Sequence, residues 1–502
     1  MKKVLCFLSR NDFMALEEAE ELLQQGDELF FLGCDSSVGI CHENNTMEKG
    51  RCVFCKFNMK NKVKKLHKKY NGIKYYTVSD YVSEDIIKQS KSIKFTYNSV
   101  KELKGITFHN IEIGYGAFSN FVSYTRNIEP TFNNSFYEYI DKLLVAEVRL
   151  ILVLERLLTD FKPDLIVFHN GRFVNLKPIY GIAINSKIDY VATETIRDYT
   201  GKAKKNNFYN DIPHSWKAVN LKMQKAWIDA GERRLETGES FFCNRRRAVF
   251  TGDKIYVKDQ DPTLLPDNFN PNIRNIVIFN SSEDEYFSIS KEYDESVLYP
   301  TQYDALYDLF ERYKNEKNIH FYLRIHPNLK DVNFKSTILL NNLKYNNVTL
   351  IPPSSPVSSY KLMEIAETVI VFNSTMGLES AYWGKKVIAL NHSFYEDLNV
   401  VYTPKTKEEF FNLLDDKYLM PIGNIKEKCA KGGCYCLGCH GESFKYAPDC
   451  IIPFKYNPRL KVHSYFTFLG SPHLNLFLEG LLCNFYHLFD KNNYDKLAED
   501  TK

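Results

Sequence analysis

The sequence contains no long hydrophobic run. Its best apolar stretch, Leu143 to Leu158, is broken by Glu147, Arg149, Glu155 and Arg156, whereas a membrane span needs about 20 mostly apolar residues. The run Val4 to Leu8 is too short for a signal peptide, so a cytoplasmic protein is expected. An excess of one charge is also absent. The 65 Lys and Arg against 62 Asp and Glu leave +3, which argues against a dedicated nucleic-acid binder. There is no repeat of fixed period and no low-complexity tract, so a repeat array is excluded. In a cytoplasmic chain the 12 cysteines should be reduced, and disulfides explain them poorly.

What is present is an ordinary globular composition, 44% apolar and 25% charged over 502 residues. That length predicts two to four domains at about 150 residues each. The chain opens as strand (Val4–Leu8), helix (Phe13–Gln25) and strand (Glu28–Leu32), with Gly26 where a helix C-cap falls. Right-handed crossover makes such strands parallel. A long helix, Phe136–Asp160, precedes a strand at Asp164–Phe168. The Pro-containing stretch 254–275 reads as a linker. A second alternating set follows: strands at Asn275–Asn280, Ile319–Ile325, Val348–Ile351, Thr368–Phe372 and Lys386–Leu390, with helices between them. The expected class is α/β, with two Rossmann-like doubly wound domains facing a cleft. The expected division is residues 1–253 as a first domain with a Cys-rich insertion at 34–55, 276–410 as a second domain and 411–502 as a helical tail.

Open α/β sheets bind ligands beyond the carboxyl ends of their strands, and three motifs fall there in the second domain. In Val371-Phe372-Asn373-Ser374-Thr375-Met376-Gly377-Leu378-Glu379, a strand meets a small-residue turn and a helix. The helix N-terminus favours a diphosphate. Ser374 and Thr375 offer hydroxyls, Gly377 lies in the first turn, and Glu379 can accept from ribose hydroxyls. A plain N-cap is the alternative. In Leu323-Arg324-Ile325-His326-Pro327-Asn328, Arg324 and His326 can contact phosphate and stabilise a leaving diphosphate, or the segment is a structural turn. Ser281 and Ser282, after the domain's first strand, can touch phosphate or cap a helix.

These residues are recognisable. Arg-Ile-His-Pro-Asn (324–328), Asn-Ser-Thr-Met-Gly-Leu-Glu (373–379) and Gly384-Lys385-Lys386-Val387-Ile388 resemble bacterial capsule and surface-polysaccharide glycosyltransferases. The resemblance is nearest to the capsule-biosynthesis and Kdo-transferase-like group, over about residues 1–415. Asn170-Gly171-Arg172-Phe173, Thr193-Glu194-Thr195 and Asp211-Ile212-Pro213-His214 look like that group's acceptor-side motifs. The resemblance implies a GT-B fold, a nucleotide-sugar donor on the C-terminal domain and a saccharide or lipid-linked saccharide acceptor. No catalytic metal is expected; Asp259-Gln260-Asp261 sits in the linker and reads as solvated chain.

For an inverting transfer Glu194 is the first choice of general base, with His169 and His214 in reserve. Asn170 and Arg172 complete the acceptor-side set. Gly114 and Gly116 read as a turn, or as an approach route for the acceptor. A sugar-nucleotide 2-epimerase, a polyol-phosphate transferase and a non-catalytic scaffold are the alternatives.

Cys34, Cys41, Cys52 and Cys55 lie in one insertion, residues 34–55, spaced Cys-x6-Cys-x10-Cys-x2-Cys. Structural zinc is the first expectation there, unligated thiols the second and an iron–sulfur cluster the third, with His42 an alternative ligand. Cys429, Cys434, Cys436 and Cys439 read as helix packing, and Cys450 lies beyond them. The lysines between Lys56 and Lys69 form either a solvated face or a contact for anionic lipid at the inner face of a membrane. Phe466, Phe468, Leu474, Leu476, Phe477 and Leu481 are expected to pack on the body or to meet lipid.

Overall fold

The computed structural model describes residues 1–9, 13–295, 297–446, 478 and 480–485. They divide into two compact units. The first is Met1–Thr195 with Lys205–Pro213 and the chain from Glu442; the second is Ile196–Lys204 with His214–Gly441.

The first unit is built on strands β1 (Lys3–Leu8), β2 (Glu28–Gly33), β3 (Ile73–Thr77), β4 (Leu165–His169) and β5 (Asp189–Thr193). After β6 (Thr195–Arg197) and β7 (Ala203–Lys205), which pair as a separate ribbon, β8 (Phe208–Tyr209) joins the sheet. Its order is β3-β2-β1-β4-β5-β8, parallel except for β8. Helices α1 (Phe13–Gln24), α2 (Lys49–His67), α3 (Glu84–Ser92), α4 (Val100–Lys104), α5 (Ile113–Thr125), α6 (Asn134–Asp160) and α7 (Lys177–Asn185) connect the strands. Val4, Cys6 and Leu8 alternate onto one face of β1 and pack against Ala15, Ala19, Leu22 and Leu23 of α1. The helical and strand periodicities therefore meet in one core.

The second unit takes in most of the β6–β7 ribbon and then α8 (Trp216–Asp229) and α9 (Arg234–Arg246). Five parallel strands follow: β9 (Arg274–Phe279), β10 (Ile319–Arg324), β11 (Val348–Ile351), β12 (Thr368–Val371) and β13 (Lys386–Ala389), in order β11-β10-β9-β12-β13. Its remaining helices are α10 (Lys291–Asp294), α11 (Gln302–Tyr313), α12 (Lys335–Asn341), α13 (Ser359–Ile365), α14 (Thr375–Tyr382), α15 (Lys407–Asp415) and α16 (Lys426–Cys436). Central β9 is buried on both faces, hence its unbroken Ile-Val-Ile-Phe run. Ile276 and Ile278 face α11 residues Leu306, Leu309 and Phe310. Val277 and Phe279 join the opposite core with Leu362, Met363 and Leu378. The fold is α/β with two doubly wound sheets, as the sequence pattern implied.

Several boundaries differ from expectation. Residues 214–253 group with the second unit, not the first. The reason is that α16 crosses α9 closely: a Cβ at Gly433 would lie 2.2 Å from the Gly238 carbonyl oxygen. Residues 254–275 are not a free linker either, because Asp261 N–H bonds the Pro356 carbonyl and Gln260 accepts from Ser359 N–H at 2.8 Å. In the expected tail, residues 411–441 belong to the second unit and 442–446 to the first. Cys429 and Cys434 are buried in α16, and Cys434 Sγ meets the Arg234 carbonyl at 3.3 Å. Gly114 and Gly116 form no turn. Both sit inside α5, where a Cβ would strike the Leu103 carbonyl oxygen or the Glu147 carboxyl. No described helix is long and apolar enough to cross a membrane. Cys450, Phe466, Phe468, Leu474, Leu476 and Phe477 lie outside the described residues, and Leu481 is exposed.

Candidate functional site

The second unit holds a cavity of about 320 Å³ at the carboxyl ends of β9, β10 and β12, within the range of small-molecule sites. Ser281, Ser282, Arg324, His326, Ser374, Thr375 and Glu379 all line it. All but Glu379, which lies a turn into α14, are at or just past a strand end, and the parallel sheet brings the three segments side by side.

Arg324 is 3% exposed. Its terminal nitrogens donate to the Pro352 and Ser355 carbonyls at 3.2 and 3.0 Å. Nε has no hydrogen-bond partner among the described residues, and no carboxylate pairs with the guanidinium there. Burial alone pulls its pKa down to about 10. Asn280 accepts the His326 N–H at 2.7 Å, while its buried Nδ2 has no hydrogen-bond partner among the described residues. Pro327 turns the chain so that His326 Nδ1 accepts from Asn328 N–H at 3.2 Å. The neutral ring then carries its proton on Nε2. The Tyr256 ring stands edge-on to His326 at 5.2 Å.

Ser374 is the N-cap of α14, accepting from Met376 N–H at 3.3 Å. The capping reading and the binding reading coexist, because a capping hydroxyl keeps its own O–H to donate. Ser281 Oγ accepts from Asn373 N–H, tying the β9 end to the β12 end, and Ser282 donates to Asp284 at 2.6 Å. Glu379 is fully buried; Tyr360 OH donates to its Oε2, and Arg245 Nε stands 3.8 Å from Oε1. Burial and then Glu379 drive the Tyr360 hydroxyl far above its ordinary pKa. Burial lowers the Arg245 pKa, but Glu379 and Tyr360 outweigh it and the net shift is upward. Gly377 is corrected as a ligand contact. It is not on the cavity wall, and a Cβ there would lie 2.1 Å from Tyr395 OH. Its smallness lets Tyr395 reach the Ser374 carbonyl at 2.7 Å.

A second group forms at the ends of β4 and β5 in the first unit. Asn170 and Gly171 take positive φ, 55° and 85°, so the chain folds back at the strand end. Asn170 Nδ2 donates to Glu194 Oε2 at 2.7 Å, and Thr195 N–H to Oε1 at 3.0 Å. His169 Nδ1 donates to the Thr193 carbonyl at 2.8 Å. Arg172 Nε bonds Ser119 Oγ, and its guanidinium lies 5.3 Å from the Phe173 ring centre. His214 does not belong to this group. The chain enters the second unit at that residue, which lines the 320 Å³ cavity.

Sequence reasoning missed Asn280, Tyr360, Arg245 and Tyr256 on that cavity. Asn280 had a signal, its place directly after β9. Arg245 and Tyr256 lie outside the sheet's segments and had none. Cys34, Cys41, Cys52 and Cys55 line a separate, small cavity in the first unit. Burial raises the Cys41 thiol pKa well above the ordinary value, and Cys34 and Cys52 add to the rise.

No protein-family model matches the chain, and no curated protein matches it in sequence. Solved structures of related architecture are found at low similarity. A β-Kdo 2,4-transferase, KpsC of Thermosulfurimonas dismutans, is 13% identical over 53% of this chain and 78% of its own, with TM-score 0.33. The UDP-GlcNAc 2-epimerase of Neisseria meningitidis is 13% identical over 86% and 94%, with TM-score 0.23. The calicheamicin glycosyltransferase CalG4 is 10% identical over 88% and 95%, with TM-score 0.25. The structural neighbours are thus GT-B glycosyltransferases and sugar-nucleotide epimerases, and the chemistry of this chain must be argued from its own residues.

Proposed function

We propose that this protein is a glycosyltransferase whose second unit binds a nucleotide-sugar donor by its phosphates. The transfer builds a surface polysaccharide or its lipid-linked precursor. One observation carries the reading: Arg324 is a buried guanidinium on a cavity wall with no carboxylate partner among the described residues. A buried charge is costly unless paired, and a phosphate is the partner the site is shaped to receive. Ser374 and Thr375, at the start of α14, add hydroxyl and backbone donors. His326, protonated on Nε2, donates toward negative charge on the leaving phosphate. On the acceptor side, Glu194 is held by Asn170 and Thr195 as a base for the attacking hydroxyl. His169 and Arg172 stand nearby as acceptor contacts.

The test is thermal unfolding with UDP, GDP, ADP, TDP, CDP and CMP, for the wild type and Arg324→Met. A ligand at 100 times its dissociation constant stabilises by about 2.7 kcal/mol. One nucleotide should raise the wild-type melting temperature and shift the variant clearly less at the same concentration. No shift with any nucleotide would remove the proposal. If the matching nucleotide-sugar is epimerised without an acceptor, the epimerase reading replaces transfer.

A further inference from the structure

Residues 34–48 form neither helix nor strand, and their buried apolar side chains are Val38 and Ile40. Polar contacts hold the segment. Arg149 donates to the Ser37 carbonyl at 3.1 Å, Arg51 to the Glu43 carbonyl at 3.2 Å, and Asn44 and Glu48 exchange bonds of 3.0 Å. Ser36 and Met47 take positive φ, 75° and 54°, a conformation that costs non-glycine residues energy. Hydrophobic burial does not account for the order of this segment.

Four cysteines from three pieces of chain converge on it. Cys34 lies directly after β2, Cys41 in the loop, and Cys52 and Cys55 three residues apart in α2. All four line one cavity of about 20 Å³, room for a single atom or water. Asn44 Nδ2 already points at Cys52 Sγ, at 3.1 Å, the kind of outer contact that supports a metal-bound sulfur. Arg51 and Glu43 also line the cavity, so its charged neighbours are of both signs.

We infer that Cys34, Cys41, Cys52 and Cys55 bind one zinc ion, which ties the end of β2 and the loop to the start of α2. Each thiol gives up its proton to solvent on binding, and no redox step is involved. Among the described residues no three histidine, cysteine, aspartate or glutamate side chains already stand at ligating spacing. Binding therefore turns the thiols inward, which for cysteine is rotation about the single χ1 torsion. The site is independent of the nucleotide cavity, whose lining belongs wholly to the second unit.

The test is metal analysis of the full chain purified without chelator. One zinc per chain is expected. Cys52→Ser/Cys55→Ser should lose it, while Cys434→Ser/Cys439→Ser keeps it. Should the first variant fail to fold, the wild type still decides the matter. Stripping its metal should expose four thiols to a thiol reagent, and cobalt(II) should restore protection with the visible bands of a tetrahedral four-sulfur site. A metal-free protein, zinc retained by Cys52→Ser/Cys55→Ser, or bound iron with charge-transfer absorption would each overturn the inference. Nucleotide shifts in the same samples report separately on the proposed function.

Discussion

At the strand ends of the first unit the polar groups satisfy one another: Glu194 accepts from Asn170 and Thr195, and His169 donates to Thr193. At those of the second, Arg324 Nε and Asn280 Nδ2 are buried with no hydrogen-bond partner among the described residues. A buried unmet donor or acceptor costs about 1–3 kcal/mol. The first arrangement is complete by itself and presents a preset carboxylate. The second leaves polar atoms unmet, and the proposed donor phosphates would supply their partners.

The largest effect expected is at the preset carboxylate. Glu194→Gln should lower transfer about 10²–10⁴-fold with nucleotide affinity unchanged, as steady-state rates and calorimetry would show. If nucleotide affinity falls instead, the division between the two groups is broken. Arg324→Met should weaken diphosphate binding about 10–100-fold, as expected for a charge-assisted contact. The ligand-free melting temperature should hold or rise, because an unpaired buried charge is removed. A lower ligand-free melting temperature would mean that the two carbonyl bonds of Arg324, and not a ligand, account for its burial.

Gly377→Ala should cost about 1–3 kcal/mol by overpacking against Tyr395, read by urea unfolding. Glu147 tests buried charge inside the first unit. Burial raises its pKa well above 4.5, with Lys177 and the Ala117 backbone opposing. The native state then keeps a proton that the unfolded chain loses above about 4.5, so stability falls as pH rises from there toward the native value. Glu147→Gln should flatten that slope above about pH 4.5, as urea unfolding across a pH series would show. Smallest is Asn170→Ala, at about 1 kcal/mol. It should lower the melting temperature without ligand and leave the nucleotide shift intact, the reverse of Arg324→Met.

The strands were legible because their signal is local. Asn-Ile-Val-Ile-Phe at 275–279 is apolar at every position after Asn275, and β9 lies between two helical layers. The site residues at strand ends were legible for the same reason, since a parallel sheet delivers the residues after its strands to one edge. The glycines were not. Gly114-x-Gly116 has the form of a turn, yet close packing by Leu103 and Glu147 places both inside α5. Gly377 has the form of a phosphate contact, yet Tyr395 fills the space beside it. His214 reads with Asp211 and Pro213 as an acceptor motif, but the chain changes unit between Pro213 and His214.

The sequence by itself determined the alternation of strand and helix, the two sheets and the polar residues at their carboxyl edges, because period and turn chemistry act over a few residues. Only the tertiary structure decided that Arg324 has no carboxylate partner among the described residues, that Tyr360 and Arg245 flank Glu379, and that four cysteines share one cavity. Those facts depend on segments tens to more than a hundred residues apart meeting in space, and packing sets such distances.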